Sequence, residues 1–548
     1  MASSATFPAT INGSIYPSIP NTQFPETAFP EFNPAKKFVG VALSGGGSRA
    51  MSCAMGQMRG LIDSILYNYI GAISCVSGGS WFGTPFSYAA ASLTDSTLLG
   101  TQTPPSQLTV QELQNLNPGN ICLPLTAMID SAITTVLAYQ YEWNDVPYNK
   151  LWSRMLNVFF LDPLLVGDDQ TFFTLNATTL KQLLQQNGSL TPSNFYLLRN
   201  NRPFYIAGGT QNYPTGINGV MRHMEYSAMY AGTPQQCGAV GPNNEHYGYG
   251  YVDNVLFDTL KPQPTSATTA NAYLNTNPAN GKQEPFLLCD QMGSSSSAPG
   301  SDLDFFNEPG WFPQFNYWSP AYTGKESTEF YSFTDGGNLE NTGIIPLLRR
   351  QYTFIIACVN SELPLMGPNY KDENYVNGVD AQIARLFGQM PAPGPFPTPI
   401  TQVFNNDNGQ FDALANALHI AKANGKPLVY QDLYTIYPNN YFGVPAYPNG
   451  GLVEVVWIYN DMNKEWYNQL PASVQALLKS TAPDNYLLNF PNLYTVGQNK
   501  LQTLGVWVPQ ALYYTPQQIN LLANMQYYNI MGDTSAKIFE AAVKKVSS

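Results

Sequence analysis

From Phe38 to Leu43 the chain reads FVGVAL, a continuous apolar run without polar alternation, the pattern of a strand buried on both faces. After a glycine-rich turn, Ala50, Met51, Ala54, Met58, Leu61, Ile62 and Ile65 recur at the i, i+3, i+4 spacing of an amphipathic helix. A second strand is predicted over Tyr69–Cys75 and a second helix over Trp81–Ala91. Strand, helix, strand and helix in that order form a βαβα unit, which implies a parallel sheet with right-handed crossovers. Later strands are predicted at Phe204–Ala207, Pro285–Cys289, Phe330–Thr334, Thr353–Val359 and Leu452–Tyr459, and TPQQINLLANMQYYNIM and SAKIFEAAVKKV read as closing helices. The expected fold is α/β, with a mixed, largely parallel central sheet flanked by helices.

The segments between these elements set the expected organisation. Residues 1–36, rich in Pro, Ser and Thr, read as an extended arm lying over the domain. Residues 37–548 read as one domain, interrupted by a long insertion over 95–200 and completed by a carboxyl-terminal extension over 361–548. The insertion contains YEWNDVPYNKLWSRMLNVFFLDPLL, from Tyr141 to Leu165, where Trp143, Trp152, Leu156, Phe159 and Phe160 stand among few charges. An insertion of that length after an early βα unit is expected to form a cap or lid. Residues 262–283 read as a low-complexity loop of Pro, Thr, Asn and Ala, and no internal repeat is visible.

Composition narrows the partners. Only 11% of the 548 residues are charged, against about 25% in an ordinary soluble protein, and the net charge is −12. An acidic chain with no basic run is not expected to bind nucleic acid or strongly anionic membranes by electrostatics, which leaves a zwitterionic or neutral surface open to it. The amino-terminal stretch lacks a basic n-region and an apolar h-region, and no run approaches the roughly 18 apolar residues of a transmembrane span. The expectation is a soluble chain, cytoplasmic or exported without a classical signal peptide. Cys53, Cys75, Cys122, Cys237, Cys289 and Cys358 are scattered, with no C-x-x-C pair and no His at ligand spacing, so neither a metal nor a disulfide framework is expected.

Two glycine turns carry the chemistry. Gly45, Gly47 and Ala50 satisfy the G-x-G-x-x-[G/A] pattern of a dinucleotide site in a strand-to-helix setting, but that site also needs an acidic residue about 20 positions on to hold the ribose. No acidic residue occurs between Ile65 and Trp81. The second strand ends instead in SCVSGGSW, in which Ser77 followed by two glycines has the form of a nucleophile elbow. The Gly46 and Gly47 amides, at the amino end of a helix, are suited to hold an oxyanion beside it. A base is needed, and the three histidines, His223, His246 and His419, stand in no obvious catalytic context. Asp335, ending a strand in FYSFTDGGNLENTGIIPLL, is the better candidate, because a carboxylate on a rigid turn can take the serine proton directly.

Taken together, SGGGSRAM, SCVSGGSW and TDGGNLENTGIIPLL followed by YTFIIACVNSE resemble the catalytic core of the cytosolic (group IV) phospholipase A2 and lysophospholipase (phospholipase B) family, and more distantly the patatin-like lipid acyl hydrolases. MEYSAMYAGTP near Glu225 and CDQMGSSSSAPG near Ser294 are weaker echoes, and the resemblance covers roughly residues 37–360. It implies a hydrolase with a Ser-Asp dyad and no catalytic histidine, with Ser77 as nucleophile and Asp335 as base. Gly46 and Gly47 match its oxyanion donors, with Gly78 beside the nucleophile, and Arg49 matches an arginine that meets the phosphate or helps hold the site. The family usually has Gly two residues before the serine, where this chain has Cys75. The implied substrate is a phospholipid or lysophospholipid met by peripheral contact with a membrane or micelle, with no cofactor. Nothing before Lys37 has the length of the calcium-dependent lipid-docking domain of some relatives, so calcium is expected to be dispensable. The alternative is a catalytically inactive lipid-binding homologue of the same fold.

Overall fold

The computed structural model of the chain describes residues 7–17, 23–127, 146–168, 170–214, 221–234, 239–240, 246–247, 250–277, 280–297, 313–320, 329–390, 401–448, 450–481, 485–494 and 512–547. Among them, fifteen strands join in one mixed sheet. The site depends on nine: Thr10–Tyr16 (β1), Val39–Leu43 (β2), Ile70–Val76 (β3), Phe204–Pro214 (β4), Arg222–Ser227 (β5), Glu329–Asp335 (β6), Phe354–Val359 (β7), Val429–Thr435 (β8) and Leu452–Tyr459 (β9). Five of these run parallel at the centre in the order β9, β7, β2, β3, β4. Every residue of β2, β3 and β7 is buried, which is why β2 and β7 are unbroken apolar runs in the sequence and β3 is interrupted only by the small polar Ser74.

The crossovers are the helices Gly47–Asp63 (α1), between β2 and β3, and Gly78–Tyr88 (α2), after β3. Almost all of α1 is buried, because the helix Pro516–Met531 covers the face that an amphipathic helix would leave to water. The two approach through small residues: a Cβ on Gly56 would stand 2.0 Å from the Ala523 carbonyl oxygen. Two further helices matter to the site, Leu151–Leu156 (α3) and Leu288–Ser295 (α4), and Pro516–Met531 is α5. Residues beyond 361 therefore supply β8, β9 and the outer cover of α1.

The structure differs from the sequence reading in four places. The sheet is parallel only at its centre: β8 closes one edge antiparallel, and from β5 outward every strand pairs antiparallel. Thr10–Tyr16, read as part of an extended arm, is β1 inside that flank, with Ile11 and Ile15 alternating inward. Residues 262–283, read as a loop, contain most of a hairpin formed by Thr259–Pro264 and Thr269–Thr276. Pro285–Cys289, read as a strand, leads into α4, whose amino end is closed by the Asp290 carboxylate accepting from the Leu287 amide at 3.0 Å.

Candidate active site

β3 ends at Val76 and α2 starts at Gly78, so Ser77 alone makes the turn, at φ 52° and ψ −121°. A non-glycine residue in that region is strained by about 1–3 kcal/mol. The glycines around it allow two turns to touch. A Cβ on Gly78 would lie 2.1 Å from the Gly47 carbonyl oxygen, and one on Gly45 would lie 2.9 Å from Ser77 Cβ. Gly46 and Gly47 themselves have φ 135° and 54°, left-handed conformations that put the start of α1 against the start of α2. First-turn amides of a helix have no intrahelical acceptor and carry the positive end of its dipole, so two such ends face the space beside Ser77. The Ser77 amide is already engaged, donating to the Ser295 carbonyl at 3.1 Å and Ser295 Oγ at 3.3 Å.

Asp335 reaches this turn through the sheet. The first half of β4 pairs with β3 and the second half with β6, along the same edge, so that Val76 stands opposite Gly208 and Asp335 opposite Gly209. The ends of β3 and β6 therefore abut. A Cβ on Gly336 would lie 2.5 Å from the Gly208 carbonyl oxygen and 2.9 Å from Val76 Cγ1, which shows how tightly the Asp335 turn sits on the end of β3. Asp335 Oδ1 accepts from the Gly337 amide at 2.7 Å, and Oδ2 is buried without a hydrogen bond of full geometry. Burial pushes the carboxyl up to about 6, with the Ser77 hydroxyl and the Gly337 amide pulling it back.

No family model matches the chain, and no curated protein matches it. Among solved structures it is similar in fold to human GIVD cytosolic phospholipase A2, at 11% identity over 92% of this chain, with a TM-score of 0.44. The same human protein in complex with methyl gamma-linolenyl fluorophosphonate gives 14% identity, 92% coverage of this chain and a TM-score of 0.35. In both cases the aligned part is 59% of the human chain.

Around the two turns, Arg49 is buried, with Nε donating to the Asn360 carbonyl at 2.8 Å and Nη1 to the Leu493 carbonyl at 2.6 Å and Glu362 Oε2 at 3.2 Å. A Cβ on Gly46 would stand 2.4 Å from Nη2, so the guanidinium lies under the glycine turn and ties it to β7 and to residues near 493. Cys75 is buried against α2, where a Cβ on Gly83 would meet its Sγ at 2.6 Å; the missing side chain at 83 makes room for the thiol at 75. His223 is buried on β5 with both ring nitrogens unbonded, and burial, reinforced by Arg349, pushes it down to about 3. His419 Nε2 meets the Asn377 carbonyl at 2.8 Å on the helix Gln410–Ala423. His246 falls on a short strand, Cys237 lies outside the described residues, and no cluster of three or more His, Cys, Asp or Glu among those described could hold a metal ion.

Of the segment Tyr141 to Leu165, expected from the sequence to form a cap, Tyr141 and Trp143 lie outside the described residues. Leu156 and Phe160 are fully buried, Trp152 and Phe159 partly so, and Phe160 stacks on Trp81 of α2 with ring centroids 5.6 Å apart. The segment is fastened at Lys150, whose buried ammonium lies 3.3 Å from Asp290 Oδ2 and 3.5 Å from Asp258 Oδ2. A Cβ on Gly293 of α4 would meet Ser153 Oγ at 2.6 Å, so α3 is seated directly on α4.

Sequence reading passed over Ser295 and Asn341. Asn341 accepts the Gly45 amide on its carbonyl at 3.0 Å, and its Oδ1 would be 2.1 Å from a Cβ on Gly45 and 2.8 Å from one on Gly337, so it joins the glycine turn to the Asp335 turn. The only trace of Ser295 in the sequence is the run GSSSS, which does not say which serine faces the site.

Proposed function

We propose that this protein hydrolyses acyl esters of phospholipids or lysophospholipids through a Ser77–Asp335 dyad and an acyl-enzyme. The observation that supports it is the pairing of a strained serine turn with a buried carboxylate one residue further along the same edge of β4. As Ser77 Oγ attacks the ester carbonyl, its proton passes to Asp335, and the amides of Gly46, Gly47 and Gly78 receive the charge developing on the carbonyl oxygen. Collapse of the tetrahedral intermediate breaks the bond to the alcohol, which leaves with the proton from Asp335. Water then attacks the acyl carbon, Asp335 takes its proton, and the fatty acid departs as Ser77 recovers its hydrogen. A carboxyl near 6 suits the base, being ionised at neutral pH yet more basic than an exposed aspartate. Hydrolysis should fall as pH drops through about 6.

The test is incubation of wild type and Ser77→Ala with labelled phosphatidylcholine and lysophosphatidylcholine, with products identified. Free fatty acid from wild type alone supports the reading; no product, together with a fluorophosphonate probe that fails to label Ser77 in folded protein, leaves a lipid-binding homologue. Among the described residues no helix is long and apolar enough to cross a membrane, and the proposed contact with a lipid surface is a peripheral one. With a net charge of −12, zwitterionic vesicles should be hydrolysed at least as fast as anionic ones at low salt, and a preference for anionic vesicles would overturn the expected repulsion.

Arg49 gives a sharper expectation than its position in the glycine motif alone. Its Nε and Nη1 are committed to the Asn360 and Leu493 carbonyls and Glu362. Arg49→Ala should therefore lower turnover of a phospholipid and of a neutral short-chain ester by similar factors, by loosening the glycine turn. A loss at least tenfold larger on the phospholipid would give the guanidinium a phosphate partner instead.

A further inference from the structure

Ser295, the last residue of α4, meets three groups at once. Its hydroxyl oxygen lies 3.3 Å from the Ser77 amide, 2.6 Å from the Gly208 carbonyl oxygen and 2.6 Å from Ser80 Oγ. A serine hydroxyl has one proton and two lone pairs. The Gly208 carbonyl can only accept, so it takes the Ser295 proton; the Ser77 amide can only donate, so it occupies one lone pair. Ser80 must then be the donor in the remaining contact, and every bonding position of Ser295 Oγ is filled. The hydroxyl has one orientation.

Its partners belong to the parts whose spacing matters. Ser77 is the turn, Ser80 the first turn of α2, and Gly208 the residue of β4 opposite Val76 and adjacent to Gly209, which faces Asp335. We infer that Ser295 is a positioning residue, which holds the strained Ser77 turn in register with Asp335 through the Gly208 carbonyl. This rests on the hydrolase reading above. Without these bonds the Ser77 amide keeps only the Ser295 carbonyl, the Gly208 carbonyl and the Ser80 hydroxyl are left buried without Ser295, and the strained turn loses part of the restraint that keeps it from relaxing toward an ordinary φ that moves Oγ off Asp335.

The test compares wild type, Ser295→Ala, Ser295→Thr and Ser80→Ala in full-length protein, by thermal unfolding, hydrolysis of p-nitrophenyl butyrate and the rate of Ser77 labelling by a methyl alkyl fluorophosphonate. Ser295→Ala is expected to lower kcat and the labelling rate at least tenfold with KM unchanged, and Ser295→Thr, which restores a hydroxyl, to recover most of that loss. Ser80→Ala, which removes one donor to Ser295 but leaves the Ser77 and Gly208 bonds, is expected to lose about threefold, and it decides the matter should Ser295→Ala fail to fold. Rates for both alanine variants within twofold of wild type, or a loss carried by KM and not recovered by threonine, would overturn the proposal. Wild type that is not labelled at Ser77 would overturn the hydrolase reading itself, an outcome visible before any variant is compared.

Discussion

Asp335→Asn should abolish hydrolysis and at the same time make the protein harder to unfold. In the proposed dyad an amide at 335 cannot accept the Ser77 proton, and removing one member of such a unit costs at least about a thousandfold. Ser77→Ala should lose as much, and the double variant no more than either, because the two groups act as one. The stability gain follows from burial. The Asp335 carboxyl sits near 6 when folded against an ordinary value of 3.8, so the native state binds the proton more tightly than the unfolded chain, and stability declines as pH rises from 3.8 through about 6. At neutral pH the folded protein carries an ionised buried carboxylate at a cost of up to about 3 kcal/mol. Asparagine keeps an acceptor for the Gly337 amide and removes the charge, so Tm at pH 7 should rise by a few degrees and the gain should vanish below pH 4. A variant that retains a tenth of wild-type activity would require another base, with His223 and His246 the next to replace; one that melts earlier at pH 7 would contradict the electrostatic account.

The second large effect lies in the buried charges behind the Asp335 loop. That loop runs into the helix Ile345–Arg349 and Arg350, where Glu225 of β5 accepts from Arg349 Nη1 at 2.6 Å and from both Arg350 Nη1 and Nη2 at 3.0 Å. Arg350 Nε also donates to Glu26 at 2.6 Å, and the Tyr230 hydroxyl to the other Glu26 oxygen at 2.7 Å. Glu26, Glu225, Arg349 and Arg350 are all buried. Removing one partner strands the others in the interior, so Arg350→Met should cost about 3–5 kcal/mol in chemical denaturation, and a loss under about 1 kcal/mol would show that the network relaxes without it. Acid should reach the same weakness. Burial alone would raise Glu225, but Arg350 and Arg349 override it and hold the carboxyl down to about 2, so its contribution is complete above its ordinary 4.5 and is lost as pH falls from there through 2. That contribution is about 3 kcal/mol, and Glu225→Gln should flatten the fall in stability across this window.

The parts that the chain displayed openly are those in which burial or a turn leaves a local mark. Strands buried on both faces, β2, β3 and β7, are written as apolar runs, broken only by Ser74 in β3, and the turns of Ser77 and Asp335 as glycine pairs after a strand. The antiparallel flank is written faintly. In Thr269–Thr276, TANAYLNT, the inward positions include two alanines, and in β1 the inward run Ile11, Ile15 is separated by Gly13, where a Cβ would meet Leu256 at 2.9 Å. Ser295 leaves no such mark, because its part depends on meeting Ser77 across 218 positions of sequence, a contact that only the assembled sheet creates. Asn341 is nearer, six residues after Asp335, yet its contact with Gly45 is equally a product of two crossovers.

β4 is the gauge of the molecule. Val76 and Asp335 abut consecutive residues of that one strand, so a single peptide unit, with Cα atoms about 3.8 Å apart, separates their stations. Tilting a helix or twisting the whole sheet carries both stations together and leaves the interval between them untouched; only a slip of β3 or β6 along β4 changes it, and that breaks a buried ladder. For an engineer this divides the chain into exchangeable and fixed parts. The outer hairpin over 259–276 and the surface of the segment 146–165 can be replaced or lengthened without resetting the interval, whereas one inserted residue between Phe204 and Gly209 would move the carboxylate a full step from the serine and turn its side chain to the other face.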